Sequence, residues 1–400
     1  MDFQIISAII FVLFLIIFIY IKRKKIVIQK IMFPLIYTIL YRTNLGLKLM
    51  DKISSKYREW IKLFGYICIG LGFYGMISIS YIIIAMIYRL VFVPQVVEAG
   101  FSLVLPFTNV SGIGYLSFFH WIIAIFVLVV IHEFAHGVVA RANNVPVKSS
   151  GFAFFSFLVP IIPAAFVEPD EKKMAKEKPV VQYSVFAAGP IINIIFAFML
   201  LFAFPYLANS AKLAPFEDKI TEPIGFSFDL TNSTLPAALA GMESGMIVNS
   251  FNNEEVNDAN KFIEHMYYCS KPRETVYFGT DKGKFNFSTA NVNGNSMVGM
   301  NNIQNERRVK PEYENIKGAF YWVKDLIKWL FLLNFLIGLF NLLPLGIVDG
   351  GRMLKTLLDS VVKNKIKAMK LWGIISMFFL FLVLFGLIVT YIGNPFNLFN

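Results

Sequence analysis

Residues Ile131-His132-Glu133-Phe134-Ala135-His136-Gly137 set two imidazoles four positions apart, with a carboxylate beside the first. On a helix, positions i and i+4 share one face, so both rings can reach one ion. Two imidazoles and a carboxylate suit zinc and leave one position for water. The chemistry that follows is hydrolysis. Zinc lowers the pKa of water toward about 7, and Glu133 stands ready to take the proton. The chain has only four histidines, His120, His132, His136 and His265. Chance therefore yields about 0.002 such patterns in a chain of this composition. Apart from Glu133, no charged residue lies between Glu98 and Arg141. An ionisable group inside an apolar run is costly and by default marks a functional site.

The element that carries this motif must lie in a membrane. Of 400 residues, 56% are hydrophobic and 16% charged, and the mean hydropathy is +0.62. A soluble chain sits nearer half apolar and a quarter charged. That excess excludes a soluble globular protein, a disordered chain, a coiled coil and a disulfide scaffold. Cys68 and Cys269 form no CxxC metal site. The net charge of +11 does not point to nucleic acid, because the basic residues flank the apolar segments. Spans of about 20 residues are expected near 3–21, 64–88, 118–140, 183–207, 319–343 and 371–392.

Lys and Arg set the expected topology. Segment 22–62 holds eleven, 141–178 holds six and 352–370 holds six. Placing these in the cytosol puts 89–116 and 208–318 outside and lets six spans alternate. His132 and His136 then lie about 13 and 7 Å along the helix axis from Arg141, so the metal is expected inside the bilayer near its cytosolic side. Residues 26–50 read as an interfacial or re-entrant helix pair. Residues 90–112 read as a hairpin dipping into the membrane.

Two imidazoles need a third protein ligand. His265 falls in the outside segment, and His120 is about four turns away, better suited to a core or interface role. Glu168 and Asp170 belong to a cytosolic loop and read as solvated. Asp349 ends the fifth expected span in Asn341-Leu-Leu-Pro-Leu-Gly-Ile-Val-Asp-Gly-Gly-Arg352, level with His132. Pro344, Gly346, Gly350 and Gly351 break the helix there and free the chain to aim a carboxylate inward. A helix-terminal turn is the plainer role for such an Asp, but the ligand role is the one expected here.

Residues 212–310 change character, with Asn, Asp, Glu, Lys and Ser common and apolar runs short. A short helix, a Gly turn and a strand ending in Asn-Asn are expected over 235–253, then a helix near 256–268 and strands near 274–278 and 284–288. Pro236-Ala-Ala-Leu-Ala-Gly-Met-Glu-Ser-Gly245 followed by Met246-Ile-Val-Asn-Ser-Phe-Asn resembles the PDZ-like domains of bacterial and archaeal proteases. An unrelated extracytoplasmic domain is the alternative.

HEFAHGVVA together with NLLPLGIVDGGR resembles the site-2 protease family, the intramembrane zinc metalloproteases. That family pairs HExxH on one core helix with an Asp in an N-x-x-P-x-P-x-x-D-G stretch on another. This chain departs once, with Gly346 at the second proline. Ala188-Gly189-Pro190-Ile-Ile-Asn193 is similar to the family's G-P-x-x-N element. The buried Asn193 serves either helix packing or, as the resemblance implies, the active-site lining. Residues 41–43, Tyr-Arg-Thr before a basic helix, look like archaeal-type members.

The resemblance implies one Zn2+ per chain on His132, His136 and Asp349, with Glu133 catalytic and Asn193, Asn341 and Pro344 lining the site or touching substrate. The expected fold is a polytopic α-helical membrane protein of about six transmembrane helices with one small α+β PDZ-like extracytoplasmic domain. Its expected parts are an anchor helix and basic segment (1–62), a second span and hairpin (63–116), and core helices with HExxH (117–208). The PDZ-like domain (209–315), a third core helix with Asp349 (316–355) and a basic loop with the last span (356–400) follow. The implied partners are transmembrane protein substrates, the lipid bilayer and peptide tails at the PDZ-like domain, with no nucleic acid. The implied location is the cell membrane, multi-pass. A prenyl-protein endopeptidase is one rival, but it needs a distal Glu ligand on a helix, and no such motif is seen. A metal-binding transporter is the other, but the internal repeats usual in that class are not found.

Overall fold

A computed structural model describes residues 3–32, 36–92, 104–110, 113–157, 159–204, 207, 215–292 and 294–392. The chain divides into two compact units, one of Met1–Met199 with Asp325–Asn400 and one of Leu200–Lys324.

The first unit opens with helix α1 (Phe3–Lys22), strands β1 (Ile26–Met32) and β2 (Ile36–Thr43), and helices α2 (Leu47–Lys56) and α3 (Arg58–Phe92). A short hairpin of β3 (Thr108–Val110) and β4 (Gly114–Leu116) leads into α4 (Phe118–Ala142), which carries HExxH. Strands β5 (Val147–Phe157) and β6 (Val159–Pro169), one turn α5 (Glu171–Met174) and helix α6 (Pro179–Ala203) follow.

The second unit contains α7 (Pro215–Ile220), β7 (Thr221–Leu230), α8 (Pro236–Leu239), β8 (Ile247–Phe251), β9 (Glu254–Glu255), α9 (Asn260–Glu264), β10 (Thr275–Thr280), β11 (Gly283–Ser288), β12 (Ala290–Val292), β13 (Asn295–Met297) and β14 (Met300–Val309). The chain then returns to the first unit through α10 (Lys317–Phe340) and closes with α11 (Asp349–Val361) and α12 (Lys365–Ile392).

Among the described residues five helices are long and apolar enough to cross a membrane: α1, α3, α4, α6 and α12. The expected fifth span, 319–343, is a helix in the structure, α10. It carries Lys324, Asp325 and Lys328 in its first half, so its uncharged run is only the part that packs on α4 and α6. The helices pack through small residues, as association in lipid requires, because apolar tails remove the hydrophobic incentive and leave close backbone approach as the source of attraction. On α3, a Cβ at Gly72 would lie 3.0 Å from the Ala187 Cβ of α6, and one at Gly65 3.0 Å from the Ser184 Cβ. On α10, a Cβ at Gly338 would lie 3.0 Å from the Pro190 carbonyl oxygen.

Two sequence expectations are corrected. Residues 26–32 and 36–43 form strands, not a helix pair; among the described residues of 26–56, the helix is α2 over 47–56. The stretch 147–169, read as part of a solvated loop, is a β-hairpin. Together they build one antiparallel sheet of order β1-β2-β5-β6. Ile36-Tyr-Thr-Ile-Leu-Tyr-Arg-Thr43 is β-branched and aromatic, which suits a pleated surface; it pairs with the neighbouring β1 on one side, but its other partner, β5, lies about a hundred residues further along the chain. Apolar content alone therefore misread it as helix. The hairpin expected at 90–112 lies largely outside the described residues, and the described part pairs Thr108 with Leu116 and Val110 with Gly114.

In the second unit the main sheet runs β11-β10-β8-β7-β14, with β9 pairing β8. Phe226, Phe228, Val248, Phe262 and Phe278 fill its core. The short helix, Gly turn and Asn-Asn turn fall where the local sequence places them. Gly241 and Gly245 take φ of +87° and +82°, and Asn252 and Asn253 take +49° and +66°, a region that favours these two residue types.

Candidate metal centre

Helix α4 begins at Ser117, whose side chain accepts the His120 backbone N–H. The helix presents His132 and His136 on one buried face. Gly137, on the same turn, admits α2, since a Cβ there would lie 2.6 Å from the Met50 Sδ. The third group comes from the far end of the chain. Asp349 does not close a span; it is the first residue of α11, after a tight loop over 341–348. In that loop Leu345 N–H donates to the Leu343 carbonyl at 2.7 Å, Val348 to Leu345 at 3.0 Å and Gly350 to Asn341 at 2.8 Å. Cβ atoms at Gly350 and Gly351 would collide with the Leu342 and Leu345 carbonyls. The paired glycines thus let the first turn of α11 press against the preceding loop, which turns Asp349 back toward α4.

The result is a buried group of His132, His136 and Asp349 whose ligand atoms lie within 4.8 Å of one another. His132 Nε2 is 3.0 Å from Asp349 Oδ2, His136 Nε2 is 3.3 Å from the same oxygen, and the two Nε2 atoms are 3.0 Å apart. Tetrahedral zinc with bonds of about 2.0–2.1 Å needs ligand atoms about 3.3 Å apart, so the triangle has the right size.

The hydrogen bonds around the rings also fit a cation. His136 Nδ1 donates to the Val185 carbonyl at 2.7 Å, which leaves its Nε2 lone pair facing the triangle. His132 Nδ1 is 3.1 Å from the Asn193 amide, whose Oδ1 is otherwise buried without a partner. Turning that amide over gives Nδ1–H its acceptor and leaves Nε2 unprotonated as well. Two lone pairs and a carboxylate oxygen, buried and converging, repel one another unless a positive charge sits among them. Gly189 completes the cradle: a Cβ there would collide with His136 Nε2 and lie 2.8 Å from His132 Nε2.

Glu133 points elsewhere than the sequence alone indicates. Its Oε2 accepts the Val167 N–H of β6 at 2.9 Å. The terminal strand of the sheet is therefore fastened to the helix that carries the histidines. Of the other predicted residues, Asn193 is fully buried against His132, whereas Asn341 engages through its backbone carbonyl and Pro344 through its carbonyl, which accepts the Ser376 hydroxyl at 3.4 Å. These last two shape the loop. Gly346, where the resemblance expects proline, packs on Trp372: a Cβ would lie 2.8 Å from Cζ2, and the indole Nε1–H donates to the Gly351 carbonyl at 2.8 Å. The indole occupies the space a proline ring needs.

The rejected ligand candidates have other roles. His120 Nδ1 sits 2.8 Å from the Ser117 hydroxyl, and His265 Nε2 pairs with Glu274 at 3.4 Å in the second unit. Glu168 takes Arg42 and the Ser149 hydroxyl rather than standing free in solvent. Asp170 caps α5, and the backbone N–H of Lys173 foremost, with Lys148 beside it, holds its carboxyl below the usual range. Sequence reasoning placed Gly189 in the G-P-x-x-N element without giving it a role, and missed the Val185 carbonyl and the Val167 N–H. Those two are backbone groups, which have no residue signature.

Asn193→Ala is expected to lower metal affinity about 10- to 100-fold, because it removes the group that orients His132 without removing a ligand. Competition with a chelating dye on the purified protein would read this directly, and unchanged affinity would reduce Asn193 to helix packing.

Residues 120–385, more than half of the chain, match the model of peptidase family M50. The chain is also 29% identical over 315 residues to Uncharacterized protein MJ0971 of Methanocaldococcus jannaschii, covering 77% of this chain and 74% of the relative.

Proposed function

Because the chain belongs to peptidase family M50, the site-2 protease family of membrane zinc metalloproteases, we propose that it is a zinc endopeptidase that hydrolyses peptide bonds within or beside the transmembrane helices of other membrane proteins. The observation that carries this reading is the buried convergence of His132 and His136, on the membrane-length helix α4, with Asp349 at the start of α11, and Glu133 adjoining. His132, His136 and Asp349 would hold the ion. What zinc supplies there, when bound, is Lewis acidity toward a peptide carbonyl and toward water.

The remaining work falls to the chain. Glu133 takes a proton from the attacking water and delivers it to the leaving nitrogen, so that the amide C–N bond breaks as the new C–O bond forms and the products are a carboxylate and an amine. The Val167 N–H holds Glu133 in place during that transfer. Val185 and Asn193 hold the imidazoles in the tautomer that leaves both Nε2 atoms free. A substrate helix must unwind locally first, because its own hydrogen bonds occlude the carbonyl. The Lys/Arg distribution supports a site near the cytosolic face and an extracytoplasmic second unit. That unit, read as PDZ-like, would receive peptide tails of substrates.

The test is metal content of the purified protein, beside His136→Ala and Asp349→Ala. One zinc per chain is expected in the wild type and less than about a tenth of that in either variant at limiting free zinc. A wild type that takes up no zinc when metal-replete would end the protease reading. Zinc retained in full by Asp349→Ala would move the third ligand elsewhere.

A further inference from the structure

At the junction of α2, α3 and α4 lies a cavity of ≈ 580 Å³, lined among others by Asp51, Lys52, Ser55, Arg58, Arg141 and Asn144. Three cations face one carboxylate there. Arg141 gives one terminal nitrogen to Asp51 and the other to the Val147 carbonyl at 3.1 Å, and its Nε is buried with no hydrogen-bond partner. Arg58 donates to the Ala142 carbonyl at 3.0 Å and to the Asn144 side-chain oxygen, both of them neutral. Asp51 is already engaged by Arg141, and among the described residues no other carboxylate lies within ion-pair distance of Lys52 or Arg58. Two surplus positive charges at one cleft are complementary to an anion with several acceptor oxygens, and guanidinium geometry favours phosphate.

The position of the cavity narrows the source. Arg58 is the first residue of α3 and Arg141 the last but one of α4, both membrane-length helices. The cavity therefore lies where these helices leave the hydrocarbon, at the depth of lipid headgroups, on the end of the molecule richest in Lys and Arg. Helix α2 buries Met50 and Ser54 and exposes Lys52, as an interfacial helix does. From this we propose that the cavity binds a phosphate group, presented by an anionic lipid headgroup at the membrane surface. Occupancy ties α2 to the end of α4. Met50 of α2 already rests on Gly137, next to His136, so the lipid steadies the helix that carries both histidines. Free inorganic phosphate offers the same oxygens, and the test separates the two sources.

Native mass spectrometry of the full chain, titrated with phosphatidylglycerol or phosphatidylcholine at low salt, reads the binding. Lys52 is exposed, so Lys52→Gln leaves the fold intact, and Arg58→Gln keeps a donor for the Ala142 carbonyl. The anionic lipid is expected to bind about tenfold more tightly than the zwitterionic one, and each substitution to weaken it about fivefold, with little competition from excess inorganic phosphate. Displacement by inorganic phosphate that itself depends on Lys52 and Arg58 would keep the site and reassign its source to the free ion. Equal binding of the two lipids, or full retention by both variants, would overturn the proposal.

Discussion

Gly189→Ala should abolish zinc binding and proteolysis together while leaving the helices assembled. The added methyl would collide with His136 Nε2 and lie 2.8 Å from His132 Nε2, in the space where the ligand atoms converge. Alanine is otherwise the least disruptive change for a helix interior, gaining up to about 1 kcal/mol in propensity over glycine. Loss of metal with unchanged thermal unfolding of the apoprotein would therefore separate a filled cradle from a broken fold. A Gly189→Ala protein that binds zinc normally would show that the cradle has room to spare, and the case for metal within it would weaken. At Gly70, where an added Cβ meets nothing within 4 Å, the same substitution should be silent.

Glu133→Gln is expected to keep the metal and lose turnover by about 10²- to 10⁴-fold, the usual range for removal of a general base. The amide oxygen of Gln can still accept the Val167 N–H, so β6 stays fastened to α4. Glu133→Ala loses both proton transfer and that anchor, which leaves a half-buried N–H without its acceptor, at about 1 kcal/mol. Comparing the two variants divides the residue's chemical part from its structural part. Equal unfolding temperatures for Gln and wild type, a lower one for Ala, and no turnover in either is the expected pattern. Substantial turnover in Glu133→Gln would remove Glu133 from the chemistry and favour a protein that binds metal without hydrolysing anything.

How much of this was legible beforehand depends on distance along the chain. The turns of the second unit were readable because Gly241, Gly245, Asn252 and Asn253 adopt positive φ for local steric reasons. The sheet was not. Strands β1 and β2 pair with each other as neighbours without alternation strong enough to stand apart from an apolar helix, and β5 extends the sheet on β2 from a distant segment. The fifth expected span is a helix, α10, but it does not stand out by composition: it is apolar where it packs on α4 and α6 and carries Lys324, Asp325 and Lys328 in its first half.

By itself the sequence determined the membrane character, the pairing of His132 with His136 on one helical face, and the candidate carboxylate at Asp349. The first two follow from composition and from the 3.6-residue repeat, and the third from its place among helix breakers after an apolar run and from the family resemblance. Only the tertiary structure decided that Asp349 reaches the histidines, that Gly189 rather than a side chain forms the wall beside them, and that Glu133 is fastened to β6. Each of these is a contact between residues far apart in sequence. It is set by how closely one backbone may approach another, and no pattern along the chain records that distance.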